Sequence, residues 1–164
     1  MSVYSPGVVD SSEKLTRFLF SPLIVDKKGQ VKPNAFAHVK TNGCSIQRES
    51  LAENQEMHAF LDGFLRKNTK AVWMGVLIAD CAKIRSIVIG NEKKRALCVY
   101  DTAEQSNPAH AEICQTEHLK FEADELELRH ALFEAFGNKQ ILPPSQYREA
   151  ELMEMLPAEL MARV

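Results

Sequence analysis

The run from Val72 to Ile78 is apolar throughout apart from the small Gly75, and the apolar stretch extends from Ala71 to Ala79. It is far too short to span a bilayer, which takes about 20 helical residues. It suits a strand buried on both faces. A short buried helix is the competing reading, because periodicity does not separate the two over this length. Such a segment needs a filled core around it, and 164 residues are enough for one such core and short for two.

The flanking segments are easier to type. Leu15–Leu19 and Leu23–Val25 read as short strands, followed by turn sequences at Asp26-Lys27-Lys28-Gly29 and Asn42-Gly43. From about Glu49 to Lys67, Leu51, Met57, Phe60, Leu61, Phe64 and Leu65 recur at three- and four-residue spacing, which predicts a helix capped by Ser45 or Ser50. Beyond the apolar run, Ile84–Ile89, Arg95–Tyr100 and Ala109–Gln115 read as three strands of an antiparallel meander spanning residues 84–116. A second helix is predicted from about Asp124 to Phe136, with Leu128, Leu132, Phe133 and Phe136 on one side and Gly137-Asn138 as its stop. Ser145 fits the N-cap of a last helix over Gln146–Leu156, ended by Pro157. Helix, then sheet, then helices predicts an α+β fold: an antiparallel sheet packed with about three helices in a single domain, 1–164, whose first 12 residues are loosely held.

Composition narrows the class of function. Hydrophobic residues make up 45% and charged residues 26%, the balance of an ordinary globular protein. With 20 basic against 22 acidic residues the chain offers no global attraction to nucleic acid or to an anionic membrane. Met1–Asp10 lacks the cationic and apolar regions of a secretory signal, so a cytoplasmic protein is expected. Cys44, Cys81, Cys98 and Cys114 contain no CxxC pair and read as free thiols.

No phosphate loop, dinucleotide-binding glycine pattern, nucleophile elbow, zinc-ribbon spacing or deaminase motif is present, and no cofactor is implied. The most unusual stretch is Asp101 to Cys114. In a strand, side chains alternate between faces, so His110, Glu112 and Cys114 share one face. Pairing Asp101 with Ala109 sets Tyr100 opposite His110 and Cys98 opposite Glu112, gathering five reactive or polar side chains together; a one-residue slip destroys the grouping. On that face His110 suits a general base, with Glu112 as its partner. Cys114 or Cys98 suits a nucleophile activated by His110. Cys98, His110 and Cys114 also suit three ligands of a zinc site, with the fourth from Glu112 or another segment. The plainer reading is favoured: His110 bonds Tyr100 or Glu112, the cysteines fill space, and no metal is assigned. Asn107-Pro108 makes a rigid loop end that fixes His110 in place.

Arg17, Lys40, Arg48 and Arg85 lie on or beside predicted strands and turns, where an arginine can clamp a phosphate or carboxylate. Arg17-Phe18, Asn34-Ala35-Phe36, Cys44-Ser45-Ile46-Gln47-Arg48 and Asn107-Pro108-Ala109-His110-Ala111 together resemble a group of small uncharacterised bacterial proteins. That group shows an early Arg, an Ala-Phe, a Ser-x-x-Arg and a closing Asn-Pro-Ala-His-Ala. The resemblance covers residues 17–114 and nominates Arg17, Ser45, Arg48, Asn107 and His110; Tyr100 joins them from the strand pairing. The expected function is a small binding or regulatory protein acting through a protein partner or a small anionic ligand, as monomer or homodimer. The alternative is a hydrolase or transferase built on His110, Glu112 or a cysteine, and an arginine clamp.

Overall fold

The computed structural model describes residues 3–90, 93–116, 125–137, 141–148 and 157–163. Five antiparallel strands form the main sheet: β1 (Lys14–Ser21), β2 (Cys44–Arg48), β3 (Val72–Asp80), β6 (Leu97–Asp101) and β7 (His110–Gln115). Their spatial order is β3-β1-β2-β7-β6. Two short strands, β4 (Val88–Ile89) and β5 (Lys94–Arg95), pair separately. The described helices are α1 (Asn54–Lys67), α2 (Cys81–Arg85), α3 (Glu125–Ala135) and α4 (Ala158–Met161), with 3-10 turns at Pro33–Phe36 and Pro144–Gln146. This is the α+β class that the sequence predicts.

The sheet separates two cores. Leu15, Leu19, Ile46, Leu77, Val99, Ala111 and Ile113 point to one side, where Phe36, Ile84 of α2 and Leu128, Leu132 and Phe133 of α3 cover them. Phe18, Phe20, Trp73 and Val76 point to the other, beneath Met57, Leu61 and Leu65 of α1 and against Tyr147 and Leu160. A register shift between Leu19 and Phe20 makes Met74 an extra residue in β3. Trp73 and Val76, three apart, therefore face the same core. At this bulge Gly75 has φ +119°, and a Cβ there would lie 2.1 Å from the Leu142 carbonyl oxygen. Val76 and Leu142 exchange two 2.9 Å backbone hydrogen bonds, so the outer edge of β3 is covered at Val76. The apolar run is thus a strand, buried on both faces as its composition requires.

Several local expectations give way. The first helix starts at Asn54, not Glu49: Ser45 lies in β2, and neither it nor Ser50 is the cap residue, which is Glu53. Leu23–Val25 forms only a bridge, Val25 with Val31, around the Asp26–Gly29 turn. Ile84–Ile89 is not one strand. Cys81 and Ile84 are three apart and both fully buried, so the segment opens as helix α2 and leaves only Val88–Ile89 extended. The meander is correspondingly reduced to the β6–β7 hairpin, and β7 pairs on its other side with β2. Ser145 lies inside a 3-10 turn rather than at a helix start, and residues 149–156 of the predicted last helix lie outside the described residues. Pro157 is the N-cap residue of α4. Beyond α4, Arg163 donates to the carbonyls of Leu65, Asn68 and Ala71 at and beyond the end of α1.

Candidate functional site

The β6–β7 register is Tyr100↔Glu112 and Cys98↔Cys114. It differs by two residues from the pairing expected on sequence grounds, and because the side-chain period is two, the same residues still share a face. Ser45 joins the row opposite Glu112, and Gln47 lies opposite His110. Cys98, Tyr100, His110, Glu112 and Cys114 thus occupy one face at the far end of the sheet from α1. All are partly or largely exposed, Tyr100 to 52%.

On that face the described hydrogen bonds of the His110 ring run to Thr102. His110 Nδ1 lies 2.8 Å from the Thr102 hydroxyl and 3.2 Å from the Thr102 carbonyl, so Thr102 is the partner of that ring nitrogen. Burial, then the adjacent Glu112 carboxylate, pushes the Cys114 thiol up to about 11, the opposite of an activated nucleophile. Among the described residues no group of three His, Cys, Asp or Glu side chains is placed to hold a metal ion. Asn107 closes a tight loop: it exchanges backbone hydrogen bonds with Glu104, and its carbonyl accepts from His110 N–H.

The two nominated arginines have different surroundings. Arg48 is consumed by the fold. Its Nε and Nη2 hold Glu13 at 2.8 and 2.7 Å, while Nη1 meets the Gly7 carbonyl at 2.8 Å and Asp101 at 3.3 Å. Arg17 is different. Nη1 donates to the Ser45 carbonyl at 2.6 Å and Nη2 to the Ala35 carbonyl at 3.0 Å. Its buried Nε has no partner, and no carboxylate among the described residues forms an ion pair with it.

That arrangement marks a break in the sheet. β1 and β2 are in register only at Leu15↔Arg48 and Thr16↔Gln47. Beyond Thr16 they separate, and the Ser45 carbonyl is taken by the Arg17 guanidinium. A cavity of about 420 Å³ opens at the gap. Phe18 and Phe20 of β1 and Phe60 and Phe64 of α1 form its apolar wall; Arg17, Gln47 and Ser45 supply polar groups. Because the strands part here, residues from both faces of the sheet reach one cavity. Gln47 is only 3% exposed, and its Oε1 has no hydrogen-bond partner. Two orphan groups, a cationic donor and a neutral acceptor, therefore belong to residues that line a mostly apolar cleft whose size is ordinary for a small-molecule site.

Of the residues lining this cavity, the sequence pattern nominates Arg17 and Ser45 and does not nominate Gln47 or the four phenylalanines. One signal was available, since Arg17 is a cation placed next to the apolar run Phe18–Phe20 within strand β1, where Leu15, Thr16 and Phe18–Phe20 are all buried. No protein-family model matches the chain, and no curated protein or solved structure matches it.

Proposed function

We propose that the protein binds a small organic anion with an apolar, ring-bearing body in the cleft between β1 and β2. The observation that carries this reading is the Arg17 guanidinium, which lines the cavity, has no carboxylate partner among the described residues, and leaves its buried Nε–H unused. A buried donor on a cation is costly to leave unmet, and a ligand carboxylate satisfies it with a charge-assisted hydrogen bond. Gln47 Oε1 adds a preference for a hydroxyl or N–H near the anionic head. Phe18, Phe20, Phe60 and Phe64 are suited to the apolar body, by edge or offset packing. With four free cysteines, the reading places this binding protein in the reducing cytoplasm.

The test is a ligand-detected NMR screen of small aromatic and aliphatic carboxylates against their neutral alcohols and their amine analogues. Saturable binding of acids, competitive among themselves and weakened by Arg17→Met, supports the reading. Acids and alcohols binding alike, or binding indifferent to both Arg17→Met and the rim-filling Ser45→Tyr, would overturn it.

A further inference from the structure

On the outward face of the β6–β7 hairpin, Cys98 and Cys114 are direct cross-strand partners. Directly opposed residues in an antiparallel pair project to the same side. Both thiols are partly exposed, whereas Cys44 points into the core opposite Ile113 and Cys81 is buried in α2. The chain therefore has one pair of thiols that share a surface.

The ladder fixes the geometry of that pair. Thr102 N–H donates to the His110 carbonyl, and Thr116 N–H donates to the Ala96 carbonyl. Hydrogen-bonded positions alternate along an antiparallel ladder, so 96/116, 98/114, 100/112 and 102/110 are all of this kind. At such positions the Cα atoms stand about 5.5 Å apart, inside the window of about 4.4–6.8 Å that a disulfide spans. The Cβ atoms stand wider than the roughly 3.8 Å mean of an unstrained bridge. A bond here forms without unfolding but under strain, which makes it easy to reduce. In the dithiol form Cys114 Sγ leans over Gly43, 2.9 Å from where a Cβ would be. A glycine at that position leaves the sulfur room to turn about χ1 toward Cys98.

We propose that Cys98 and Cys114 form a reversible dithiol site that exchanges with low-molecular-weight disulfides of the glutathione type. Cys98 gives up its proton and its thiolate attacks one sulfur of the external disulfide. That S–S bond breaks and one thiol leaves, carrying the electron pair and taking up a proton. Cys114, held protonated by burial, loses its proton and attacks the Cys98 sulfur of the mixed disulfide, and the second thiol leaves in the same way. Two protein thiols are oxidised to one disulfide, and one external disulfide is reduced to two thiols.

The experiment treats the full-length protein with glutathione disulfide, quenches with acid and reads intact mass and digest peptides. The wild type is expected to lose the mass of two hydrogens, to yield a linked Cys98–Cys114 peptide pair, and to recover its mass with dithiothreitol. Cys114→Ser is expected to trap one glutathione on Cys98, and Cys98→Ser to react roughly tenfold more slowly or less. A lasting glutathione adduct on the wild type, a link through Cys44 or Cys81, equal adduct formation by the two variants, or an unchanged wild-type mass would each overturn the proposal. Because the linkage is mapped in the unmutated chain, the result stands whether or not a variant folds.

Discussion

The Arg17 guanidinium reaches across the opening between β1 and β2 to donate to the Ser45 carbonyl at 2.6 Å, and with its other arm it holds Ala35. Replacing it with Met keeps the length and removes the donors. The two carbonyls then lose their partners, and the native state is expected to fall by about 1–2 kcal/mol. Arg17→Lys recovers only part of this, because an ammonium lacks the fork that spans two acceptors. Urea unfolding at unchanged m-value measures both.

Gly75 and Gly63 give opposite responses to alanine. At Gly75 a methyl group meets the Leu142 carbonyl oxygen at 2.1 Å with φ at +119°, so Gly75→Ala should cost at least about 2 kcal/mol and loosen the β3 edge. Gly63, inside α1, has nothing within 4 Å of its would-be Cβ. Gly63→Ala should stabilise by about 0.5–1 kcal/mol through helix propensity. Thermal unfolding of the two variants side by side would show the sign change.

Arg48 joins the amino-terminal segment to the sheet, and its loss leaves Glu13 and Asp101 facing each other's charge with little water. Arg48→Met is expected to cost about 3–5 kcal/mol. Burial pushes Glu13 up, but the Arg48 hydrogen bond, the Asp10 N–H and the Arg48 charge together outweigh it, and its carboxyl is held below the usual range. A depressed carboxylate stabilises fully above its unfolded value of about 4.3 and loses that contribution as pH falls through the lower folded value. Glu13→Gln should therefore lower stability at neutral pH and flatten the acid limb below about pH 4, as read by denaturant midpoints across pH.

On the alkaline side the relevant group is Tyr147. Burial, then the Glu49 carboxylate that accepts its hydroxyl at 2.9 Å, raises its phenol above the ordinary range. A group raised in the folded state contributes fully below its unfolded value of about 10 and loses that contribution as pH rises toward the folded one. Tyr147→Phe should reduce stability at neutral pH by about 1 kcal/mol and make the profile above pH ~10 less steep. Ultraviolet titration should find one tyrosine that ionises only on unfolding.

The Cys114 thiol, pushed up to about 11, should alkylate slowly at neutral pH. Its rate should climb about tenfold per pH unit until that value is approached. Glu112→Gln removes the second-largest cause and should speed the reaction at fixed pH. Peptide-level mass spectrometry after iodoacetamide pulses measures it, and rapid labelling at pH 7 would contradict the assignment.

What the sequence made legible follows from the range of each interaction. The apolar face of α1, the buried side of α3 and the alternation in β6 and β7 are set by neighbours a few residues apart, and all appear as expected. The hairpin's shared face survived a two-residue error in register because faces repeat every two residues. Ile84–Ile89 misled because β-branched residues also pack from a short helix, and only the core they meet decides between the two. The cleft was invisible for a deeper reason. It exists where β1 and β2 fail to pair, and no local pattern in Arg17–Ser21 or Cys44–Ile46 records which carbonyls a distant side chain will take.

Within a regular ladder, peptide hydrogen bonds hold neighbouring strands about 4.8 Å apart. Between Arg17 and Ser45 the spacer is a side chain instead, so the aperture is set by the reach of a guanidinium. Thr16 and Gln47 are the last paired residues before the gap; β1 lies beneath α1, and β2 pairs onward with the β6–β7 hairpin. The proposed ligand would touch both strands at once, because Thr16 and Arg17 of β1 and Ser45 and Gln47 of β2 all line the cavity.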